Sequence, residues 1–416
     1  MRILFATWAA PGHLFPMVPL AWACRAAGMD VRVAAPPSCH PAVAATGLPA
    51  VAMGPVAAPP RKGPVRNVRN WGSERPWPDG WTARPELLDD WQSTILDYTA
   101  GKQVAAADTM TDDLVAFARS WRPDLVVCDT LCFAGPVAAA AVGVPHVAIG
   151  WEVATLLHPE RVGRRGDWLP GYAELFERFA VPPRACSDHV IEMSPPAMRL
   201  AETHPVRRTP MRYVPYNGAG TAPDWLAQRT RRPRVCVTSG VALDRYDADT
   251  AARATRELAG AFAGLGVDLV IATGAGRGAG FTDLPPGARV AQGVPFHLLL
   301  PTCAAVVHHG GAGTAMTAVT CGVPQLILPQ SPPYAEIGHR VARAGCGTVL
   351  DPGSAPGDVR TALAELLGDE QYSRAAAAVR EEMSAMPAPA EVVRELAAMA
   401  RPHRSQEGLP CPTTTP

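Results

Sequence analysis

A chain of 416 residues is long for one domain, and two domains of about 150–200 residues each are the natural division. Its 38 lysines and arginines balance 38 aspartates and glutamates, so no net field steers it toward nucleic acid or an anionic membrane, and a small-molecule ligand is expected. No apolar run reaches the roughly 18 residues of a membrane helix, and ten cysteines without CxxC spacing argue for reduced core thiols, not for a zinc site or a disulfide framework.

Strands alternate with helices from the start. Residues 2–7 read as a strand, 17–27 as a helix closed by Gly28, and 30–35 as a second strand. The early apolar stretch is interrupted by Pro11-Gly12-His13 before any cleavage-like site, which suits a cytoplasmic chain. A strand at 124–128, a helix at 135–142 and a strand at 145–149 continue the alternation. Between Val214 and Arg234 the pattern breaks into proline, glycine and charge, so the expected division is a first domain at 1–213, a linker at 214–233 and a second domain at 234–400. The second domain opens on a strand at 234–238 and ends in helix-rich 355–400, with the last helix able to return to the first domain; 401–416 reads as a disordered tail. Residues 134–149 and 313–328 share an order of helix, Gly-Val-Pro and apolar strand, so both halves are expected to be doubly wound α/β units facing each other across a cleft.

The run His308-His309-Gly310-Gly311-Ala312-Gly313-Thr314 links a buried strand at 304–307 to a helix at 315–321. A chain turning there leaves the first N–H groups of the helix pointing outward, with the positive end of the helix dipole behind them. Glycines allow close approach of an anion, and His309 and Thr314 can add donors, so this segment is expected to hold a phosphate. His308 is expected to pack inward.

His13 lies just past the first strand, where an imidazole can act as a base near neutral pH. Asp129 ends another strand; if the two strands are neighbours, the carboxylate can accept from one ring nitrogen and leave the other to take a proton from an alcohol. Turn and helix capping by the same residues is the competing reading.

The HHGGAGT run, the Pro-Gly-His-x-x-Pro loop at 11–16, the turn Gly322-Val323-Pro324-Gln325 and Pro329-Gln330 together resemble the family 1 glycosyltransferases of the GT-B fold. The linker runs Val214-Pro215-Tyr216-Asn217-Gly218 and Pro223-Asp224-Trp225-Leu226 are similar to the actinobacterial enzymes that decorate polyketides with deoxysugars. The resemblance spans nearly the whole chain. It implies an inverting transfer without a metal ion or other cofactor, with His13 as general base, Asp129 orienting it, and the departing diphosphate held by His309, Gly311, Ala312, Gly313 and Thr314. Thr238, Ser239 and Gly240 match a loop near the phosphates, and Val294, within Gln292-Gly293-Val294-Pro295, matches the segment that recognises the base; Gly293 replaces the usual aromatic residue there, and Phe296 is either its substitute or core. The expected partners are a small-molecule sugar nucleotide and an aromatic or polyketide-like acceptor, with neither nucleic acid nor membrane; a homodimer is left open.

One departure bears on the donor. Where the family often carries an acidic residue and glutamine that bond sugar hydroxyls, this chain has Pro333-Tyr334, with Glu336 two positions on. An aromatic face suits a less hydroxylated ring, so a dTDP-deoxysugar is expected ahead of UDP-glucose, with Tyr334 and Glu336 at the sugar. A UDP-hexose donor is the alternative; an epimerase or a non-catalytic helper on the same fold are more distant ones. On the acceptor side Trp71, Trp77, Trp81 and Trp91 either stack on a flat aglycone or pin a long loop to the core. Trp168 and Tyr172, after the basic run 161–165, form either an acceptor loop or a solvated face.

Overall fold

The computed structural model describes residues 1–8, 11–55, 77–78, 80–82, 84–150, 168–184, 187–199, 207–228, 230–239, 248–278, 281, 283–351 and 353–400. Gly240, Trp71, the 161–165 run and the tail read at 401–416 lie outside them.

Two parallel sheets organise these residues. The first contains β1 (Arg2–Ala6), β2 (Asp30–Ala35), β3 (Ala50–Ala52), β4 (Leu125–Asp129), β5 (His146–Gly150), β6 (His189–Glu192) and β7 (Arg208–Pro210), in the order β3-β2-β1-β4-β5-β6-β7. The second contains β8 (Arg234–Thr238), β9 (Asp268–Thr273), β10 (Arg289–Gln292), β11 (Ala305–His308), β12 (Gln325–Ile327) and β13 (Gly347–Val349), in the order β10-β9-β8-β11-β12-β13. Every residue of β4, β8 and β11 is buried, because helices cover both faces of a parallel sheet and a strand there has no polar side to show. The strand order reverses between β1 and β4 in the first sheet and between β8 and β11 in the second. Open α/β sheets bind ligands at that crevice, outside the carboxyl ends of the strands.

Most element ends fall within a residue or two of the expected ones. The exception is the helix at Ala312–Cys321, which starts three residues before its apolar pattern. Small Ala312 and Gly313 join the first turn without contributing to the periodicity that marks it. Both Gly-Val-Pro repeats end a helix on a left-handed glycine, Gly143 at φ 69° and Gly322 at φ 67°, and then enter β5 and β12.

The largest apolar cluster crosses both halves. It joins Leu14, Met17 and Val18 to Ala312, Ala315 and Met316 of the Ala312–Cys321 helix, and to Val392 and Leu396 of the last helix, Pro389–Met399. That helix packs on Val18–Ala26, so it lies against the first lobe. Behind the first sheet runs the helix Asp90–Trp121, started by a reciprocal cap in which Asp89 accepts from the Gln92 N–H at 2.8 Å and Gln92 accepts from the Asp89 N–H at 2.9 Å. Among the described residues no helix is long and apolar enough to cross a membrane.

Candidate active site

β1 and β4 are hydrogen-bonded neighbours with Ala6 opposite Cys128, which brings the turn after β1 and the last residue of β4 to one edge of the sheet. There His13 Nδ1 lies 2.9 Å from Asp129 Oδ2. The carboxylate is fully buried and its Oδ1 accepts from the Leu131 N–H at 2.9 Å, so it is fixed at both oxygens. The imidazole is 15% exposed and packs at 4.9 Å against the Trp8 ring. An acceptor-only group on Nδ1 places the ring proton there and makes Nε2 the basic nitrogen.

The second switch point repeats the plan. β8 pairs with β11, His308 opposite Thr238, so the Thr238-Ser239 and His308-His309 turns lie side by side. They line a hollow of about 580 Å³ together with Pro329, Gln330, Asp351 and Ser354. His308 packs inward: its Nε2 lies 2.9 Å from Gln325 Oε1 and its Nδ1 accepts from the Gly310 N–H at 3.1 Å. Gly310 turns the chain at φ 91°, and Gly311 then serves as N-cap of the Ala312–Cys321 helix without a side-chain cap. The N–H groups of Ala312 and Gly313 belong to a first turn where the helix supplies no acceptor. His309 points its Nε2 at this turn, since a Cβ on Gly311 would stand 2.6 Å from it. Burial, with His308 beside it, lowers the His309 pKa to about 3, so the ring is neutral and carries one N–H to offer. Its buried Nδ1 has no partner among the described residues. Thr314 is buried in the same turn. Neutral donors, backbone amides and the helix dipole together make this turn a cradle suited to an anion.

The remaining expected residues divide. Tyr334 meets the cradle, its ring edge-on to His309 at 5.1 Å and its carbonyl against Gly310. Glu336 is 1% exposed and ion-paired with Arg343 at 3.2 Å and Arg340 at 3.6 Å, so its carboxylate is already engaged by arginines of its own helix. Val294 and Phe296 pack into the apolar layer with Leu299 and Ala291, outside the hollow around His309. Of the aromatic residues expected on the acceptor side, Trp77 and Trp81 pair at 4.5 Å, and Trp168 and Tyr172 at 5.7 Å, within the layer beneath the first sheet. Trp81 is 3% exposed and the Tyr172 hydroxyl donates to the Arg184 carbonyl, so these two anchor loops to the core. Trp91 opens the helix Asp90–Trp121. Reasoning from sequence missed Trp8, Asp351 and Ser354; the last two follow β13, and a three-residue strand ending in Val349 carries little periodicity to announce them.

Residues 22–240 match the family model described as Erythromycin biosynthesis protein CIII-like, N-terminal domain, and residues 256–399 match its C-terminal counterpart. The chain belongs to this family. It is 35% identical to the aclacinomycin-T 2-deoxy-L-fucose transferase of Streptomyces galilaeus over 98% of both chains. It is 36% identical to the 10-deoxymethynolide desosaminyltransferase of Streptomyces venezuelae, over 97% of this chain and 98% of that one. The structure of the glycosyltransferase VinC in complex with dTDP superposes with a TM-score of 0.77 at 34% identity, covering 96% of this chain and 99% of that chain. The spinosyn rhamnosyltransferase SpnG gives a TM-score of 0.79 at 29% identity, covering 95% of this chain and 100% of that chain. The fold is GT-B and the protein is a glycosyltransferase.

Within the family architecture the cradle depends on Gly310. A Cβ there would lie 2.7 Å from the Tyr334 carbonyl, on a backbone at φ 91°. Gly310→Ala is expected to lower stability by about 1–3 kcal/mol in urea denaturation. Gly357→Ala, on a helix where a Cβ meets nothing within 4 Å, is expected to be neutral or slightly stabilising. Equal effects of the two would contradict the role given to the Gly310 turn.

Proposed function

We propose that this glycosyltransferase moves a deoxysugar from a dTDP-sugar to a hydroxyl of a polyketide-type aglycone, with inversion and without a metal ion. The observation that carries the reading is the His13–Asp129 pair, 2.9 Å apart, at the switch point of one sheet, with the anion cradle of His309 and Gly311–Thr314 at the switch point of the other. His13 Nε2 takes the proton of the acceptor hydroxyl while Asp129 stabilises the imidazolium that forms. The oxygen attacks the anomeric carbon from the face opposite the nucleotide, so configuration inverts. The charge that grows on the departing diphosphate meets the Ala312 and Gly313 amides, His309 and Thr314, which are oriented before the reaction begins. Those donors supply the stabilisation that a divalent ion would otherwise give.

The donor assignment is supported by Tyr334, which stands edge-on to His309 at 5.1 Å, beside the turn proposed to hold the phosphates, where the family often has a polar pair. The relatives named above transfer 2-deoxy-fucose and desosamine, and VinC was seen with dTDP. The cytoplasmic setting is supported by the described cysteines, which are thiols.

Three measurements test the proposal together. dTDP is expected to raise the melting temperature more than UDP at equal concentration, because a ligand bound only by the native state stabilises it by mass action. Free dTDP is expected to accumulate from a dTDP-deoxysugar only when an aglycone is present, and at the same rate in excess EDTA. UDP-glucose outperforming every dTDP-deoxyhexose would replace the donor assignment, and loss of turnover in EDTA would end the metal-free mechanism.

A further inference from the structure

Three consecutive linker residues touch both halves of the site. Tyr216 stands between Phe15 and Trp22 of the first lobe, edge-on to each at 5.2 Å. Phe15 follows His13 by two residues, in the short helical run that continues from Pro11–Leu14. Gly218 turns at φ 87°, close enough that a Cβ on it would be 3.5 Å from the tip of the Phe15 ring. Asn217, between them, faces the other lobe. Its Oδ1 accepts from the His297 N–H at 3.0 Å and lies 3.2 Å from the Nδ1 of that residue. Its Nδ2 donates to Thr317 Oγ1 at 3.1 Å. Thr317 is fully buried one turn into the cradle helix, and its hydroxyl donates at 2.7 Å to the carbonyl of Gly313, whose own N–H belongs to the anion cradle.

We infer that Asn217 is a positioning residue, which through Thr317 and through its neighbour Tyr216 fixes the spacing between the His13 turn and the phosphate-holding turn. Its amide is engaged by Thr317 and His297, so it acts through them. The reaction needs the base and the leaving group on opposite faces of one carbon, and near-attack geometry is sensitive to about an ångström. An amide suits this place because it accepts on one side and donates on the other; a carboxylate cannot donate to Thr317, and an apolar side chain can do neither. The inference rests on the transferase mechanism proposed above only for its kinetic consequence.

The test pairs Asn217→Ala with Thr317→Val and Thr317→Ser. Asn217→Ala and Thr317→Val are each expected to lower kcat about tenfold, as displaced reacting groups do, with donor KM and the Kd for dTDP within threefold of the parent. Thr317→Ser keeps the hydroxyl and is expected to recover most of that loss. Hydrogen exchange without ligand is expected to quicken in both 11–17 and 312–321 in Asn217→Ala, though only one of those segments is touched by its amide. Unchanged kcat, or a fall in kcat matched by an equal weakening of dTDP binding, would overturn the inference. If the parent shows no transfer at all, the mechanism fails on its own; the exchange result then decides the linker tie, and faster exchange confined to 312–321 rejects it.

Discussion

Asp129→Asn is expected to cut turnover by on the order of 10²–10⁴ while leaving the fold and nucleotide binding in place. The reason is a proton's location. Asp129 Oδ1 already accepts from the Leu131 N–H, and an asparagine oxygen can keep that bond. The asparagine NH₂ then faces His13 Nδ1, where Asp129 Oδ2 stood at 2.9 Å. A donor at that position turns Nδ1 into the acceptor and moves the ring proton to Nε2, so an acceptor hydroxyl meets an N–H in place of a base. Single-turnover rates with saturating donor, measured beside the dTDP-induced rise in melting temperature, separate this effect from misfolding. Activity within tenfold of the parent would return His13 and Asp129 to turn and helix capping.

His13→Ala should cost a comparable factor, and the double variant little more than either single one, because residues that act as a unit do not contribute additively. The loss is expected to shrink with increasingly acidic acceptor phenols, since a nucleophile that ionises unaided has less need of a base. A loss independent of acceptor pKa would point to a binding role for the imidazole.

The parts of this site that sequence made legible are those where backbone physics forces composition. Gly310 and Gly311 are needed where the chain turns at φ 91° against Tyr334 and where a Cβ would strike His309, so the HHGGAGT run stands out against any apolar background. β4 and β11 read as unbroken apolar runs because both faces are covered. Other features leave a weaker trace. The helix Asp90–Trp121 has a capping box at Asp89 and Gln92, but Gln92, Ser93, Gln103 and Thr111 lie on its buried face and blur the apolar stripe. Glu336 could be placed near the sugar by register alone; its pairing with Arg340 and Arg343 depends on helical i+4 and i+7 spacing that motif alignment ignores. Asn217 was visible only as part of a linker, because its partners His297 and Thr317 are distant in sequence and meet it through the packing of two lobes.

The same burial that keeps His309 neutral should make the protein acid-labile. Burial lowers His146 and His308 to about 4 and His309 to about 3, against 6.5 for the exposed side chain. Between those values the unfolded chain binds protons that the native state refuses, so stability is full above pH 6.5 and declines as pH falls toward 4. Each of the three buried imidazoles contributes to that loss in the same direction, so the native margin shrinks across the range. Urea midpoints measured from pH 8 to pH 4 should therefore drop steeply below 6.5, and a flat profile would refute the linkage. His309→Gln should flatten the slope by close to one proton. The cradle is exposed to this titration directly: Gly310 donates its N–H to His308 Nδ1, and a proton on that nitrogen replaces an acceptor with a donor. The turn that presents the amides of Ala312 and Gly313 is then held by one bond fewer, so dTDP affinity should fall only as pH approaches 4, where His308 of the native state itself takes up a proton, well below the pH at which stability begins to decline.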